Sequence, residues 1–338
     1  MSEADFYWAE PTPLSSWRWA VLMGHNSRTY KFALGDALLE IAVEGREAVP
    51  LEELAARYAM KIIRRDGDAP QAPSRMNMST SDFLSVAKEE AEASLAANEP
   101  SDRLVQAAVK SIPGMVMEKF HNVGGGEIPH RFYELTGRGA GRVVRLSSEV
   151  RRIAGSPQLS SLRGELDARW SIVETAFAAE VGRGVVSYGL AVDLETQKLT
   201  DRRRRRSVTG VTEALIGFQH GRCLICAEVI GEGDRVAVDH VFPFALMDRY
   251  PTSAKWPQLN LDAVWNLAPA HYQCNADKSD RQPLPVELDR LVHRNEAVMF
   301  SPHPLRSTLR LTLESAPRPF RGAGEWSDFV REVQAVFS

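Results

Sequence analysis

Cys223-Leu-Ile-Cys226 opens a stretch that closes on His271-Tyr-Gln-Cys274-Asn275-Ala-Asp-Lys278-Ser-Asp280. Between the two ends stand Asp239-His240-Val-Phe-Pro243 and Trp265-Asn266-Leu267. All three cysteines of the chain fall here. Cys-x-x-Cys followed far downstream by His-x-x-Cys is metal-ligand spacing: two ligands from one turn and two from another let one tetrahedral ion join distant pieces of chain. Cys223, Cys226, His271 and Cys274 are therefore expected to hold zinc. Four protein ligands leave no open position, so that ion is structural. A second assignment stays open, with His271 on another metal and three cysteines on zinc. The Asp-His pair and the Asn between the knuckles are residue types that suit metal-assisted phosphodiester hydrolysis.

In type and order these pieces resemble the HNH endonuclease family, over roughly residues 215–285. The resemblance implies a ββα-metal, treble-clef-like fold. It makes His240 the general base, for which an ordinary imidazole pKa near ~6.5 is suited. It makes Asp239 and Asn275 ligands of a catalytic magnesium or manganese ion, since hard oxygen ligands favour those metals. Asn266 is expected to fix the loop and orient His240. Asn275 stands where the name-giving form has His, so the reading is His-Asn-Asn. That variant also occurs in the HNH domain of RNA-guided DNA nucleases, whose ending resembles Cys274-Asn275-Ala-Asp-Lys278-Ser-Asp280. The gap from His240 to Asn266 is long, and residues 245–262 read as an inserted loop.

Asp201 is followed by five arginines, Arg202, Arg203, Arg204, Arg205 and Arg206. Consecutive like charges must face solvent or an anion. They read as a phosphate clamp leading into the motif, or as a solvated linker. Lys278 reads as a phosphate contact or a solvent-facing lysine. The chain of 338 residues has a net charge of only -3, so a nucleic-acid surface must be a local patch.

Apolar content of 44% and charged content of 25% are ordinary for a globular protein. No run of about 18 apolar residues is present, which excludes a simple membrane span. The first residues lack the pattern of a signal peptide, and cysteines at metal spacing fit a reducing cytoplasm.

Apolar residues at helical spacing predict helices after Ser27, after Pro50, from Phe83 to Ala97 and over Ser160–Val181. Residues 131–150 predict short strands around Gly137, Gly139 and Gly141, a cluster better suited to a hairpin turn than to a phosphate loop. Val211–His220 predicts a helix delivering the first knuckle. Residues 308–314 alternate like a strand, and a last helix over Trp326–Phe337 is expected to dock on the N-terminal core.

The expected architecture is mainly α with a small α+β module: a helical domain over 1–200, an HNH nuclease domain over 201–290 and a C-terminal extension over 291–338 packed on the core. The leading expectation is a metal-dependent DNA endonuclease. A small nuclease module beside a larger unfamiliar domain suits restriction or antiphage defence, with defence-system proteins as partners, by analogy only. A zinc-dependent nucleic-acid-binding module without catalysis and an RNA-directed nuclease are the alternatives. Target site, oligomeric state and the role of residues 1–200 are not legible.

Overall fold

A computed structural model describes residues 11–24, 26–67, 69–123, 125–178, 190–193, 198–201, 206–207, 211–246, 256, 259–303, 305–317, 320 and 324–337. Contacts divide the chain into two compact units, Glu10–Val181 and Gly182–Ser338. The architecture is mainly helical with small sheets. No helix among the described residues is long and apolar enough to cross a membrane.

The first unit begins with α1 (Pro13–Arg18), which widens into a looser turn over Trp19–Met23. Helices α2 (Tyr30–Val43), α3 (Leu51–Asp66), α4 (Phe83–Ala97) and α5 (Asp102–Ile112) follow. Asp82 caps α4, its carboxylate accepting from the Leu84 N–H at 3.0 Å. Strand β1 (Ala48–Pro50) pairs with β5 (Val143–Leu146), and β5 pairs with β4 (Tyr133–Thr136), all antiparallel. A separate two-residue pair joins β2 (Asn122–Val123) to β3 (Gly126–Glu127). The three glycines make the β4–β5 hairpin turn. Gly137 sits at φ 82°, and a Cβ there would lie 2.4 Å from the Gly141 carbonyl oxygen.

Helices α6 (Ser148–Ala154) and α7 (Leu159–Ala178) complete the unit. Its core is aromatic: Trp17 meets Phe132 edge-on at 5.1 Å, and Phe32 stacks on Trp170. Arg18 on α1 and Glu165 on α7 form a buried two-toothed ion pair, with Gln158 at 2.8 Å from the same guanidinium.

In the second unit, β6 (Leu190–Asp193), β7 (Lys198–Asp201) and β8 (Arg206–Ser207) form an antiparallel sheet. Helix α8 (Val211–Phe218) leads into the first knuckle, as the sequence predicts. Strands β9 (Val236–His240) and β10 (Leu267–His271) pair antiparallel, with His240 opposite Leu267. Helix α9 (Tyr272–Lys278) starts directly where β10 ends. Helices α10 (Pro285–Phe300), α11 (Leu305–Glu314) and α12 (Glu325–Val336) follow.

Four expectations need correction. The domain boundary lies near 181/182 rather than 200/201. A boundary at 290/291 would cut α10 in the middle. Residues 308–314 belong to helix α11, because Leu305, Leu309 and Leu313 recur every fourth residue and are the ones buried. The closing helix α12, expected on the N-terminal core, packs within the second unit. Its Trp326 and Phe329 meet Trp265, with Phe329 edge-on at 4.9 Å, and Trp256 caps Phe329 at 5.2 Å.

Trp326→Ala empties the centre of that cluster. It is expected to lower stability by about 3–5 kcal/mol, the range for deleting a buried tryptophan, measured as a fall in the urea midpoint.

Candidate metal and catalytic centre

The knuckle is built by local turns. After α8 the chain reverses through His220 and Gly221, both in the left-handed region, and Cys226 is followed by Ala227 at φ 65°. The Ala227 N–H closes back on the Cys223 carbonyl at 2.9 Å. Cys223 is buried with Ile216, Ile230 and Ala270, and Cys274 packs against that group. Gln219 ties the turn to β10 by donating to the Pro269 carbonyl at 2.9 Å.

The ligating atoms of Cys223, Cys226, His271 and Cys274 all lie within 4.8 Å of one another. His271 Nδ1 is 3.3 Å from Cys226 Sγ and 3.8 Å from Cys274 Sγ. A tetrahedral zinc site has S···N edges of about 3.6 Å and S···S edges of about 3.8 Å, so the group fits zinc. The other imidazole nitrogen, Nε2, lies 3.3 Å from the Val229 carbonyl and 3.5 Å from the Asp234 carboxylate, which fixes the ring with Nδ1 inward. His271 therefore sides with the cysteines and not with a second metal.

Protonation follows from that crowding. Burial, then repulsion from Cys223, pushes the Cys274 thiol up to about 12. Burial also raises Cys223. Burial opposes ionisation of Cys226, but the Glu228 N–H and the neighbouring thiols and imidazole outweigh it, and this thiol falls below its ordinary value. Metal binding must then displace protons from Cys223 and Cys274.

Asp239 and His240 end β9 and find different partners. Asp239 is buried, and its Oδ1 accepts from Lys278 Nζ at 2.9 Å. Its Oδ2 is buried with no hydrogen-bond partner among the described residues. Burial pushes the Asp239 carboxyl up, against the pull of Lys278. Lys278 Nζ also donates to the His240 carbonyl at 2.8 Å. Lys278 is only 2% exposed. The expectation of a phosphate-touching or solvent-facing Lys278 is corrected: its place on α9 turns it inward, onto a buried carboxylate.

The His240 ring is half-buried. Its Nε2 is 3.0 Å from Asp262 Oδ1, and its face meets Phe244, itself 44% exposed, at 5.5 Å. An ionised carboxylate only accepts, so a neutral His240 facing it carries its proton on Nε2 and its lone pair on Nδ1. Asp262 is a residue that sequence reasoning missed, because it sits at the end of the segment read as an inserted loop. Within that segment residues 247–255 lie outside the described residues, while Trp256 and Leu261 are buried.

Asn266 is fully buried. Its amide accepts from the Phe242 N–H at 2.8 Å and donates to the Phe242 and Leu261 carbonyls at 2.9 and 2.8 Å. It fixes the loop as expected, but the partner on the His240 ring is Asp262. Asn275 lies three residues before Lys278 on α9, hence on the same helix face, and is half-buried. Arg202–Arg205 lie outside the described residues. Arg206 opens β8, and its side chain is outside the described set too.

Helix α10 braces both halves of the centre. Arg290 donates to the Leu224 and Ile225 carbonyls, at 2.8 and 2.6 Å, inside the knuckle. Arg294, one turn on, donates to the Leu267 and Trp265 carbonyls at 2.8 and 2.9 Å. Burial lowers the Arg294 guanidinium to about 9, still charged at neutral pH. Two arginines four residues apart, and so on one helix face, were the available signal for this brace.

Comparison with protein-family models, with curated proteins and with solved structures finds no match for this chain.

The purified protein is expected to carry one zinc ion per chain by elemental analysis, and Cys274→Ser to lose it. Because uptake displaces protons, zinc affinity should rise with pH and the ion should leave on acidification, read with a chromogenic chelator. Lys278→Met removes the partner of buried Asp239 and should cost about 3–5 kcal/mol at neutral pH. The sign with pH is fixed. A carboxyl raised by folding favours the folded state in acid and loses that advantage as pH rises through its folded value. Without Lys278 the rise is larger, so the deficit of the variant should shrink in urea melts as pH falls.

Proposed function

We propose that the second unit is a metal-dependent DNA endonuclease of the HNH type that its motifs resemble. The observation that carries this reading is the buried Asp239 carboxylate with one partnerless oxygen, next in sequence to a histidine whose ring is tied to a second carboxylate. A buried acceptor left without a donor asks for an occupant, and a divalent cation suits it. Asp239 Oδ2 and the Asn275 amide would hold that cation. When bound, magnesium or manganese supplies positive charge against the phosphate and the leaving 3′ oxygen.

The chain's own residues do the rest. Asp262 holds the Nε2–H of His240, so Nδ1 takes the proton of the attacking water. Asn266 locks Phe242 and Leu261 so that β9 and the Asp262 segment keep their spacing. The Cys3His knuckle and α10 hold β10 and α9 rigid beneath them. Arg202–Arg206 would add sequence-independent, salt-sensitive affinity for phosphate.

The Lys278–Asp239 pair favours a second reading, a zinc-held nucleic-acid-binding module without cleavage. There the ammonium already supplies the positive charge that the carboxylate needs.

One experiment separates these readings. Supercoiled plasmid and single-stranded RNA are incubated with magnesium or manganese and with wild type or His240→Ala, zinc content being measured in parallel. Loss of about 100-fold or more in DNA cleavage by His240→Ala, with zinc retained, is expected from removal of a general base. Equal cleavage by both proteins removes His240 from the mechanism. Salt-sensitive binding with no cleavage under either ion supports the binding module.

A further inference from the structure

The first unit contains buried charge that no carboxylate among its described residues balances. Lys31 stands in the first turn of α2 and is 7% exposed. Its ammonium makes a long contact of 3.4 Å with the Ala20 carbonyl and sits 5.6 Å from the centre of the Phe120 ring. No carboxylate faces it among the described residues. Burial lowers it to about 8, and the second influence on it is another cation, Arg169. Arg169 is itself buried, its Nε and Nη1 without a partner among the described residues. A carbonyl and a ring face replace only part of the water that two neighbouring cations lose, and they do nothing for the mutual repulsion.

Lys31 lines a cleft of about 450 Å3, together with Asn26, Arg28, Met115, Val116 and Lys119. Arg28 is paired with Asp82, but Lys119 is exposed and has no ion-pair partner among the described residues. No carboxylate lines the cleft among the described residues. Asn26 donates its amide to the Gly24 carbonyl at 2.9 Å, and its buried Oδ1 has no donor among the described residues. The cleft also lies at the N-terminus of the 14-residue helix α2. The Thr29 hydroxyl bonds Gln71 instead of capping that helix, so its first-turn N–H groups and dipole favour negative charge. Met115 and Val116 give one apolar wall.

We infer that this cleft binds a small phosphate-bearing molecule, its anion between Lys31 and Lys119 and its organic part against Met115 and Val116. Two unpaired ammoniums with a guanidinium nearby call for more than one negative charge, which a phosphate monoester carries at neutral pH and a single carboxylate does not. The partnerless Asn26 oxygen requires a hydroxyl or N–H donor on the ligand. This site is independent of the zinc knuckle and of the nuclease reading.

The test uses the full chain in a phosphate-free buffer, with thermal unfolding followed against inorganic phosphate, adenosine 5′-monophosphate and acetate. Saturable stabilisation by phosphate or the nucleotide is expected, roughly 5 °C or more at a hundredfold excess over Kd, with none from acetate. A larger effect of the nucleotide places its organic part on the Met115–Val116 wall. Lys31→Met should raise the ligand-free Tm, by removing a buried charge, and abolish the stabilisation. Lys119→Ala, at an exposed position, should leave the ligand-free Tm unchanged and weaken binding at least severalfold. No saturable shift with either phosphate compound, or a shift that persists in both variants, overturns the inference.

Discussion

Three sulfur atoms and an imidazole nitrogen crowded within 4.8 Å do not stay together unaided. Their thiolates repel, and in the absence of a cation Cys274 is driven toward its protonated form. A dication bound there would turn that repulsion into a cross-link between two distant turns. The rest of the centre hangs from it. The knuckle fixes the start of α9 against the turn after α8, and α9 carries Lys278 to Asp239. Without that anchor, a seven-residue helix and a two-stranded sheet have too little apolar surface to hold a fixed geometry.

Buried cations are handled in two ways in the two units. Arg294 is wrapped by backbone carbonyls and so acts as a strut for the Val264–Leu267 segment. Its charge is spread over polar acceptors, which makes burial tolerable without a carboxylate. Among the described residues Lys31 has one long carbonyl contact, and Arg169 Nε and Nη1 have none. The contrast is what separates a structural cation from one placed for something else.

Much of this was legible in the sequence, and the exceptions have physical causes. Helices α2, α3, α4 and α7 follow from apolar periodicity, the β4–β5 hairpin from its glycines, and the metal group from Cys-x-x-Cys with His-x-x-Cys. Lys278 was not legible, because charge and spacing do not say which face of a short helix is covered. Residues 308–314 fit periods of both two and four, and burial of Leu309 and Leu313 on Leu305 decided for the helix. Asp262 lay hidden because its partner, His240, is 22 residues away in a segment without periodic pattern. The domain boundary was set on the arginine run, a charge feature, whereas packing divides the chain before it.

Helix α9 is a single lever. Cys274 and Lys278 sit four residues apart on it, one turn, with no hinge between them. Cys226 is exposed, so the open side of the knuckle can be reached by oxidants and by competing thiophilic metals. The knuckle and the buried carboxylate are thus joined by one turn of helix and one ammonium.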